Sequence, residues 1–322
     1  MFKYFLILLF VAIPLNSYSK ESKFEKRLQK DIKKLSKISG FIDNNSKSYS
    51  EEEISDRQNT IVIIWNHGQR DGQKRIERCN KGINEPEVIA NLHNKEINGL
   101  KIKIYRMCSG VRGLNQPQMD RAWNLIDKEG NQNGLLEIVD YDGMRLFDKI
   151  KQHLRRQIVL DKIDELTEKN FSNIVLMGHS CGAFLSIYLS AHFPEKIKAS
   201  IVTNPACYGE NINPRNVIGD RNTYSIWKAL RDDWEQTISK FAEINSLAFI
   251  HDEDPFENTE TLSFLGKINK FKMINYTDFG CEKMFGTDFH SAPVYPATDN
   301  CFTKWEAKKN YIVNYLEEVF KN

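Results

Sequence analysis

The segment Gly178-His179-Ser180-Cys181-Gly182 has the composition of a reactive turn. It follows an apolar run, NIVLM, and it precedes a second apolar run, AFLSIYLSAHF, of helical length. In a tight connection from strand to helix, the two glycines remove side chains that would clash, and the serine is lifted above the sheet edge. Main-chain N–H groups at the start of the helix favour negative charge beside it. Ser180 is therefore predicted to be a nucleophile; the alternative is a glycine-rich turn without chemistry.

The base that would activate this serine can be sought by its place along the chain. A serine hydroxyl attacks well only when a base, usually a histidine oriented by a carboxylate, takes its proton. In strand–turn–helix sites of this kind, the acid and then the histidine follow the serine. His251 and His290 are the two histidines well beyond Ser180, and only His290 follows the candidate acids. His290, in the segment GTDFHSAP, is therefore the predicted base.

The candidate acids stand together after the apolar run LAFI, in the segment His251-Asp252-Glu253-Asp254-Pro255. Asp254 is the preferred acid, because Pro255 restricts the backbone directly after it and indicates a turn. Asp252 is the alternative, and both would lie at the end of a strand.

An enzyme that attacks a carbonyl also needs two N–H donors facing the oxygen that becomes negatively charged. One donor is predicted at Cys181, the residue after the nucleophile. The second is predicted in the loop Asn66-His67-Gly68-Gln69, which follows the apolar run IVIIW. Gln69 is the first choice within it and Gly68 the second; the alternative is an ordinary turn at the end of a strand.

The nucleophile, the acid and the oxyanion loop each follow a short apolar run, so strands must position them. Strands are predicted at 61–65, 102–105, 173–177, 199–202, 247–250 and, more weakly, 271–274. Helices are predicted at 24–38, 86–95, 144–169, 181–192, 224–243 and 302–320. Strands that alternate with helices indicate an α/β fold, a three-layer αβα sandwich around a mostly parallel sheet. Ligand sites in such sheets lie at the carboxyl ends of the strands.

The N-terminus has the layout of a secretory signal peptide. Lys3 precedes an all-apolar run over 5–13, and Ser17-Tyr18-Ser19 places small residues where a signal peptidase cuts. The apolar run is about half the length of roughly 20 residues that a membrane-spanning helix needs. We therefore predict a signal peptide over 1–19, a secreted or periplasmic protein and no stable membrane anchor.

The rest of the chain is predicted to hold one large domain. Residues 20–58 are rich in Lys, Glu and Ser and indicate an N-terminal helical segment followed by a linker or loop over 44–56. Residues 59–322 carry the alternating pattern, with a small cap insertion expected around 206–245.

Composition and motifs exclude several classes of function. A formal charge of +2 over 322 residues predicts no nucleic-acid partner. The phosphate-loop, dinucleotide-binding and H-E-x-x-H zinc motifs are all missing from the sequence, so other classes of enzyme find little support. The six cysteines lack C-x-x-C spacing, and an even number behind a signal peptide favours disulfides.

At this point the chain resembles the α/β-hydrolase superfamily of serine esterases, lipases and peptidases. The resemblance covers roughly residues 60–320 and is carried by the segments IVIIWNHG, GHSCG, AHFPEKIKASIVTNP, LAFIHDEDPF and DFHSAP. It implies a Ser180–Asp254–His290 triad that transfers an acyl group to water through an acyl-enzyme, without a cofactor.

The sequence departs from the family pattern in three places. His251 stands where a glycine is common three residues before the acid, and Cys181 stands where Gln, Met or Gly is more familiar. The strands that usually precede the oxyanion strand are not evident between residues 20 and 58, which predicts a sheet of fewer than eight strands.

Three disulfides are hypothesised from this arrangement. Cys181 and Cys207 follow neighbouring strands, and a bridge between them would clamp the oxyanion turn. Cys281 and Cys301 bracket His290, which leaves Cys79 to pair with Cys108.

The function expected from the resemblance is hydrolysis of an ester or related acyl bond in a small-molecule or peptide substrate. A serine peptidase of the same fold and a catalytically silent binding protein are the alternatives. The oligomeric state is left open.

Overall fold

The computed structural model describes residues 23–68, 87–109, 146–207, 231–277, 289–290 and 299–321. Within 23–28, 87–88, 146–151, 153–154 and 299–308 it describes the backbone alone. The predicted signal peptide at 1–19 and most of the predicted cap, residues 208–230, lie outside these ranges.

In this part of the chain nine strands form one sheet. They are β1 (Gly40–Ile42), β2 (Ser48–Tyr49), β3 (Thr60–Asn66), β4 (Glu96–Ile97), β5 (Leu100–Met107), β6 (Asn173–His179), β7 (Ile197–Thr203), β8 (Glu243–Ile250) and β9 (Asn269–Asn275). Helices are α1 (Lys23–Ile38), α2 (Glu87–Ala90), α3 (Leu146–Glu168), α4 (Cys181–His192), α5 (231–238) and α6 (Asp299–Val319). Two short 3-10 turns lie at Glu51–Glu53 and Ser263–Lys267.

The order of the strands across the sheet is β2-β1-β5-β3-β6-β7-β8-β9, with β4 paired to β5. Every pairing from β5 through to β9 is parallel, whereas β1–β2, β1–β5 and β4–β5 are antiparallel. The parallel strands therefore end at one edge, and this edge carries His67, Ser180, Asn204 and His251 directly after β3, β6, β7 and β8. The predicted α/β fold with a mostly parallel sheet is confirmed.

Apolar residues on both faces of the sheet are buried, which is why its central strands are apolar throughout. Along β3, Val62 and Ile64 belong to one core, and Ile61, Ile63 and Trp65 belong to the other. The first core is covered by α3, α4 and α5 through residues such as Ile163, Leu185 and Ile238. The second is covered by α2 and α6 through residues such as Ile89, Ile312 and Leu316. The sheet is thus the middle layer of three.

The expectation of fewer than eight strands is wrong, and the segment predicted as linker or loop over 44–56 also contains short regular elements. Within that segment lie β2 and a 3-10 turn, and β1 runs just before it. These strands are two and three residues long, too short for a visible alternation, and β1 forms by pairing with the distant β5. The turn carried a local signal that was missed, since Ser50 and Glu53 form a capping box.

Two other boundaries also differ from the sequence prediction. The helix expected over 86–95 is confined to α2, because the chain turns at residues 91–94 and Asn94 has a positive φ of 64°. Helix α5 ends before the predicted 243, where β8 begins. Among the helices of the described ranges, none is long and apolar enough to cross a membrane.

Candidate active site

Ser180 lies in the connection between the end of β6 and the first residue of α4. Its backbone has φ 56° and ψ −127°, a combination that non-glycine residues rarely adopt. The Ser180 N–H donates to the Thr203 carbonyl at 3.2 Å, and this bond to the neighbouring strand helps to hold the strained turn. Strain of this kind persists only where the surroundings enforce it, and it is concentrated at functional sites.

The glycines on either side of Ser180 are required by close backbone packing. A Cβ on Gly178 would lie 2.3 Å from the Gly182 carbonyl oxygen. A Cβ on Gly182 would lie 2.1 Å from the Asn66 carbonyl oxygen, at the end of β3. The turn at Ser180 can therefore approach the end of β3 only because both positions lack a side chain.

Ser180, His290 and Asp254 form a continuous hydrogen-bonded series. The Ser180 Oγ lies 2.8 Å from His290 Nε2, and His290 Nδ1 lies 2.7 Å from Asp254 Oδ2. Asp254 is fully buried, and its other oxygen accepts the Phe256 N–H at 2.9 Å. With Nδ1–H donating to the carboxylate, Nε2 is free to accept the serine proton, which is the arrangement of an activated hydroxyl.

The imidazole of His290 is enclosed by rings and held through its backbone. The rings of Phe256 and His179 lie 4.5 Å and 5.0 Å from it, centroid to centroid. The Asn204 side-chain amide donates to the His290 carbonyl at 3.0 Å, and the Tyr276 hydroxyl donates to the Asn204 Oδ1 at 2.8 Å. Sequence reasoning missed Asn204; its place directly after β7, at the edge that carries the site, was the available signal.

Asp252, the alternative acid, is directed elsewhere. Its carboxylate accepts hydrogen bonds from the Thr259 hydroxyl and, at 2.6 Å, from the Asn275 amide. The bond from Thr259 is the main reason why the pKa of Asp252 lies below its ordinary value. Of the two carboxylates, the structure places only Asp254 against His290.

The predicted oxyanion residues are placed in part. Cys181 is the first residue of α4 and directly follows Ser180, so its main-chain N–H lies at the N-terminus of the helix. Gly68 lies against the nucleophile, since a Cβ on it would be 3.0 Å from the Ser180 Cβ. Gln69 lies outside the described residues.

A disulfide joins Cys181 to Cys207, with 4.4 Å between the two Cα atoms, as hypothesised. It ties the first residue of α4 to the segment after β7. Cys108 is also disulfide-bonded. Because Cys79, Cys281 and the side chain of Cys301 lie outside the described part of the chain, the other two pairings stay predictions.

The arrangement brings a hydroxyl, an imidazole, a buried carboxylate and the N-terminus of a helix together at one edge of the sheet. Such a set can carry out acyl transfer. Among the residues that the structure describes, no group of three or more His, Cys, Asp or Glu side chains is placed to hold a metal ion.

Comparisons with known proteins support the fold. A protein-family model for the alpha/beta hydrolase fold matches residues 152–267, which include Ser180 and Asp254. The resemblance predicted from the motifs is thereby confirmed. No curated protein sequence matches the chain significantly.

Several solved structures are similar to the chain over most of its length. A soluble variant of monoglyceride lipase from Saccharomyces cerevisiae is 8% identical with a TM-score of 0.48, over 88% of this chain and 92% of that one. An esterase from Pyrobaculum calidifontis is 12% identical with a TM-score of 0.46, over 91% of both chains. Est1E from Butyrivibrio proteoclasticus, with ferulic acid bound, is 13% identical with a TM-score of 0.43, over 81% of this chain and 92% of that one.

Proposed function

Since the chain has a mostly parallel αβα sheet and residues 152–267 match a family model for the alpha/beta hydrolase fold, we propose that it is a serine hydrolase that cleaves a carboxylic ester or a related acyl bond. The observation that carries the proposal is the hydrogen-bonded series from Ser180 through His290 to Asp254, with separations of 2.8 Å and 2.7 Å. Each of the three side chains has the orientation that its role requires, and Asp254 and His290 are buried.

The proposed reaction has two halves. Ser180 Oγ attacks the substrate carbonyl carbon while His290 Nε2 takes the hydroxyl proton, and the buried Asp254 carboxylate stabilises the imidazolium that forms. The N–H of Cys181 and an N–H of the Gly68–Gln69 loop would face the negative oxygen of the tetrahedral intermediate. His290 then returns the proton to the leaving alcohol, which departs and leaves an acyl-enzyme.

In the second half a water molecule takes the place of the alcohol. His290 accepts a proton from the water as the water attacks the acyl carbon, and a second tetrahedral intermediate forms in the same oxyanion site. Collapse of this intermediate returns the proton to Ser180 Oγ and releases the carboxylic acid. All the groups that move protons are on the chain itself, so the scheme needs water and substrate alone.

Labelling with a fluorophosphonate probe tests the proposal, because this probe reacts with activated serines. Wild type is expected to be labelled, and Ser180→Ala and His290→Ala are expected to remain unlabelled. Ser190→Ala is a matched control, since Ser190 is a buried serine near the other end of α4, the helix that follows Ser180. A folded wild type that resists labelling would contradict the proposal and favour a silent binding protein.

Substrate class is decided by a second set of rates. Hydrolysis of short-chain and long-chain p-nitrophenyl esters is compared with cleavage of peptide amides, each measured with wild type and Ser180→Ala. Ester hydrolysis that disappears in the variant supports the proposal. Peptide cleavage without ester hydrolysis would instead identify a peptidase.

We also propose that the protein is exported. The support is the signal-peptide pattern over 1–19 together with the Cys181–Cys207 disulfide, since disulfides persist in oxidising compartments. N-terminal sequencing of protein recovered from the medium or periplasm should find Lys20 first. An intact N-terminus in the cytosolic fraction would contradict export.

A further inference from the structure

Arg155 is a charged residue in the middle of α3 whose side chain is 1% exposed. Arginine is rarely buried to this degree unless its guanidinium is hydrogen-bonded. Its Nη2 donates to the His67 carbonyl at 2.6 Å, and its Nε donates to Ser109 Oγ at 3.3 Å. The guanidinium thus joins α3 to the loop after β3, the loop from which the second oxyanion donor is expected.

The buried side chain of His67 holds the next carbonyl of the same loop. His67 Nδ1 lies 2.6 Å from the Gly68 carbonyl oxygen. Because a carbonyl oxygen can only accept a hydrogen bond, Nδ1 carries the proton. His67 Nε2 then presents a lone pair and accepts the Ser109 main-chain N–H at 3.3 Å. Arg155, His67 and Ser109 therefore form one network, and two successive loop carbonyls are anchored in it.

Anchoring a carbonyl also sets the direction of the N–H in the same peptide. The bond between His67 and Gly68 is trans, so the carbonyl that faces Arg155 and the N–H of Gly68 point in opposite directions. Gly68 itself lies against Ser180, since a Cβ built on Gly68 would be 3.0 Å from the Ser180 Cβ. The Gly68 carbonyl belongs in turn to the peptide that carries the Gln69 N–H.

The charge of Arg155 adds to its geometry. A cation hydrogen-bonded to one end of a peptide polarises that peptide, which makes the N–H at the other end a stronger donor. Hydrogen bonds from charged donors are also stronger than neutral ones, and the guanidinium fork has a fixed geometry.

We propose that Arg155 is a positioning residue for the loop after β3: through the His67 carbonyl it orients and polarises the Gly68 N–H beside Ser180. Arg155 acts through the loop and is not a group that contacts the reacting atoms. This inference rests on the proposed hydrolase function and deepens it.

The test compares two neighbouring buried arginines of α3. Arg155→Gln removes the positive charge beside the loop. Arg155→Lys keeps the charge but loses the fixed geometry of the guanidinium, whose two nitrogens donate to His67 and Ser109. Arg156→Gln is the matched control, since the Arg156 guanidinium lies over the Tyr188 ring, 3.8 Å from its centroid. Activity is expressed per active site, counted by exhaustive fluorophosphonate labelling, and thermal unfolding verifies that each variant is folded.

Arg155→Gln is expected to lower kcat and the labelling rate by about 10–100-fold, with KM little changed. This is at or below the loss of about 10²–10³-fold that follows removal of one oxyanion donor, because Arg155 acts through the loop. Arg155→Lys is expected to recover part of that loss. Affinity for a trifluoromethyl ketone, which forms a tetrahedral oxyanion on serine, should fall in parallel with kcat/KM. The pH–rate profile should keep its shape, because the His290–Asp254 pair is untouched. Arg156→Gln should remain within about threefold of wild type.

A purely structural role would lower the unfolding temperature while kcat per labelled site stayed at the wild-type value, and that result would overturn the inference. If Arg155→Gln does not fold, Arg155→Lys decides: a kcat reduced about tenfold or more in folded protein supports the inference, and an unchanged kcat overturns it. Failure of the proposed function is recognised separately, because wild type itself would then be inert toward the probe.

Discussion

The side-chain amide of Asn204 donates to the main-chain carbonyls of both Phe289 and His290, at 2.8 Å and 3.0 Å. Asn204 is fully buried, and its backbone has a φ of 42°, which asparagine tolerates better than most residues. It therefore joins the end of β7 to the turn that presents His290 to Ser180.

Asn204→Ala is expected to reduce the rate of fluorophosphonate labelling by at least tenfold and to destabilise the protein. The change removes the amide donor from the buried carbonyls of Phe289 and His290, at a cost of about 1–3 kcal/mol, and it puts alanine in a left-handed conformation. Tyr276→Phe is the comparison, because it removes the hydroxyl's bonds to Asn204 and to the Phe289 carbonyl but keeps the Asn204 amide and the ring. Equal labelling rates for Asn204→Ala and wild type would show that His290 is positioned by other contacts.

The two aspartates after β8 should differ sharply in their effect on catalysis. Asp254→Asn is expected to lower kcat by on the order of 10³–10⁴, because the amide no longer selects the productive tautomer of His290. Asp252→Asn should leave kcat within about threefold, since its carboxylate is bonded to Thr259 and Asn275. Steady-state kinetics on an ester decide, and the reverse ranking would make Asp252 the acid.

Asp252 should nevertheless contribute to stability in a pH-dependent way. Its pKa in the folded protein lies below the ordinary value of 3.8, chiefly because of the hydrogen bond from Thr259. A lowered pKa stabilises the folded state above the unfolded-state pKa, and this stabilisation is lost as the pH falls through the folded pKa. The unfolding temperature of wild type should therefore fall more steeply than that of Asp252→Asn between about pH 5 and pH 2. Parallel curves would contradict this assignment.

Gly182→Ala should disrupt the turn that holds Ser180. Its Cβ would lie 2.1 Å and 2.5 Å from the carbonyl oxygens of Asn66 and His67, which are backbone atoms that cannot rotate away. Overpacking of this kind costs about 1–3 kcal/mol or more, and we expect loss of labelling with it. Gly40→Ala is the control, since nothing lies within 4 Å of its would-be Cβ. The comparison is made by chemical denaturation, and similar unfolding free energies for the two variants would contradict the packing argument.

Removing the disulfide beside the nucleophile should affect both stability and rate. For the Cys181→Ala/Cys207→Ala variant we expect a loss of about 3 kcal/mol in unfolding free energy, given a separation of 26 residues. We also expect a lower labelling rate, because α4 is no longer tied to the segment after β7. The double variant is preferable to a reductant, since Cys108 is disulfide-bonded as well. Unchanged stability and labelling would mean that packing alone holds this turn.

Local signals in the sequence predicted the central part of the fold with few errors. Strand β3, predicted over 61–65, spans Thr60–Asn66, and helix α4 spans the predicted 181–192. Long apolar runs and a turn bounded by glycines are determined by neighbouring residues, so they can be recognised in a single sequence. The short strands β1 and β2 were missed because they are too short to show an alternation, and because β1 forms by pairing with the distant β5 while β2 pairs with β1.

The identity of the chemical groups was in the sequence, and their relations were decided by the tertiary structure. The glycine-bounded turn nominated Ser180, and chain order nominated His290 and left two aspartates open. The choice between Asp252 and Asp254 depends on which carboxylate the turn after β8 directs to an imidazole 36 residues away in sequence. Asn204 and Arg155 have no motif, because their roles come from carbonyls supplied by other elements. A hydrogen bond between distant segments is a property of the folded chain, and only the packed sheet and helices bring its two partners together.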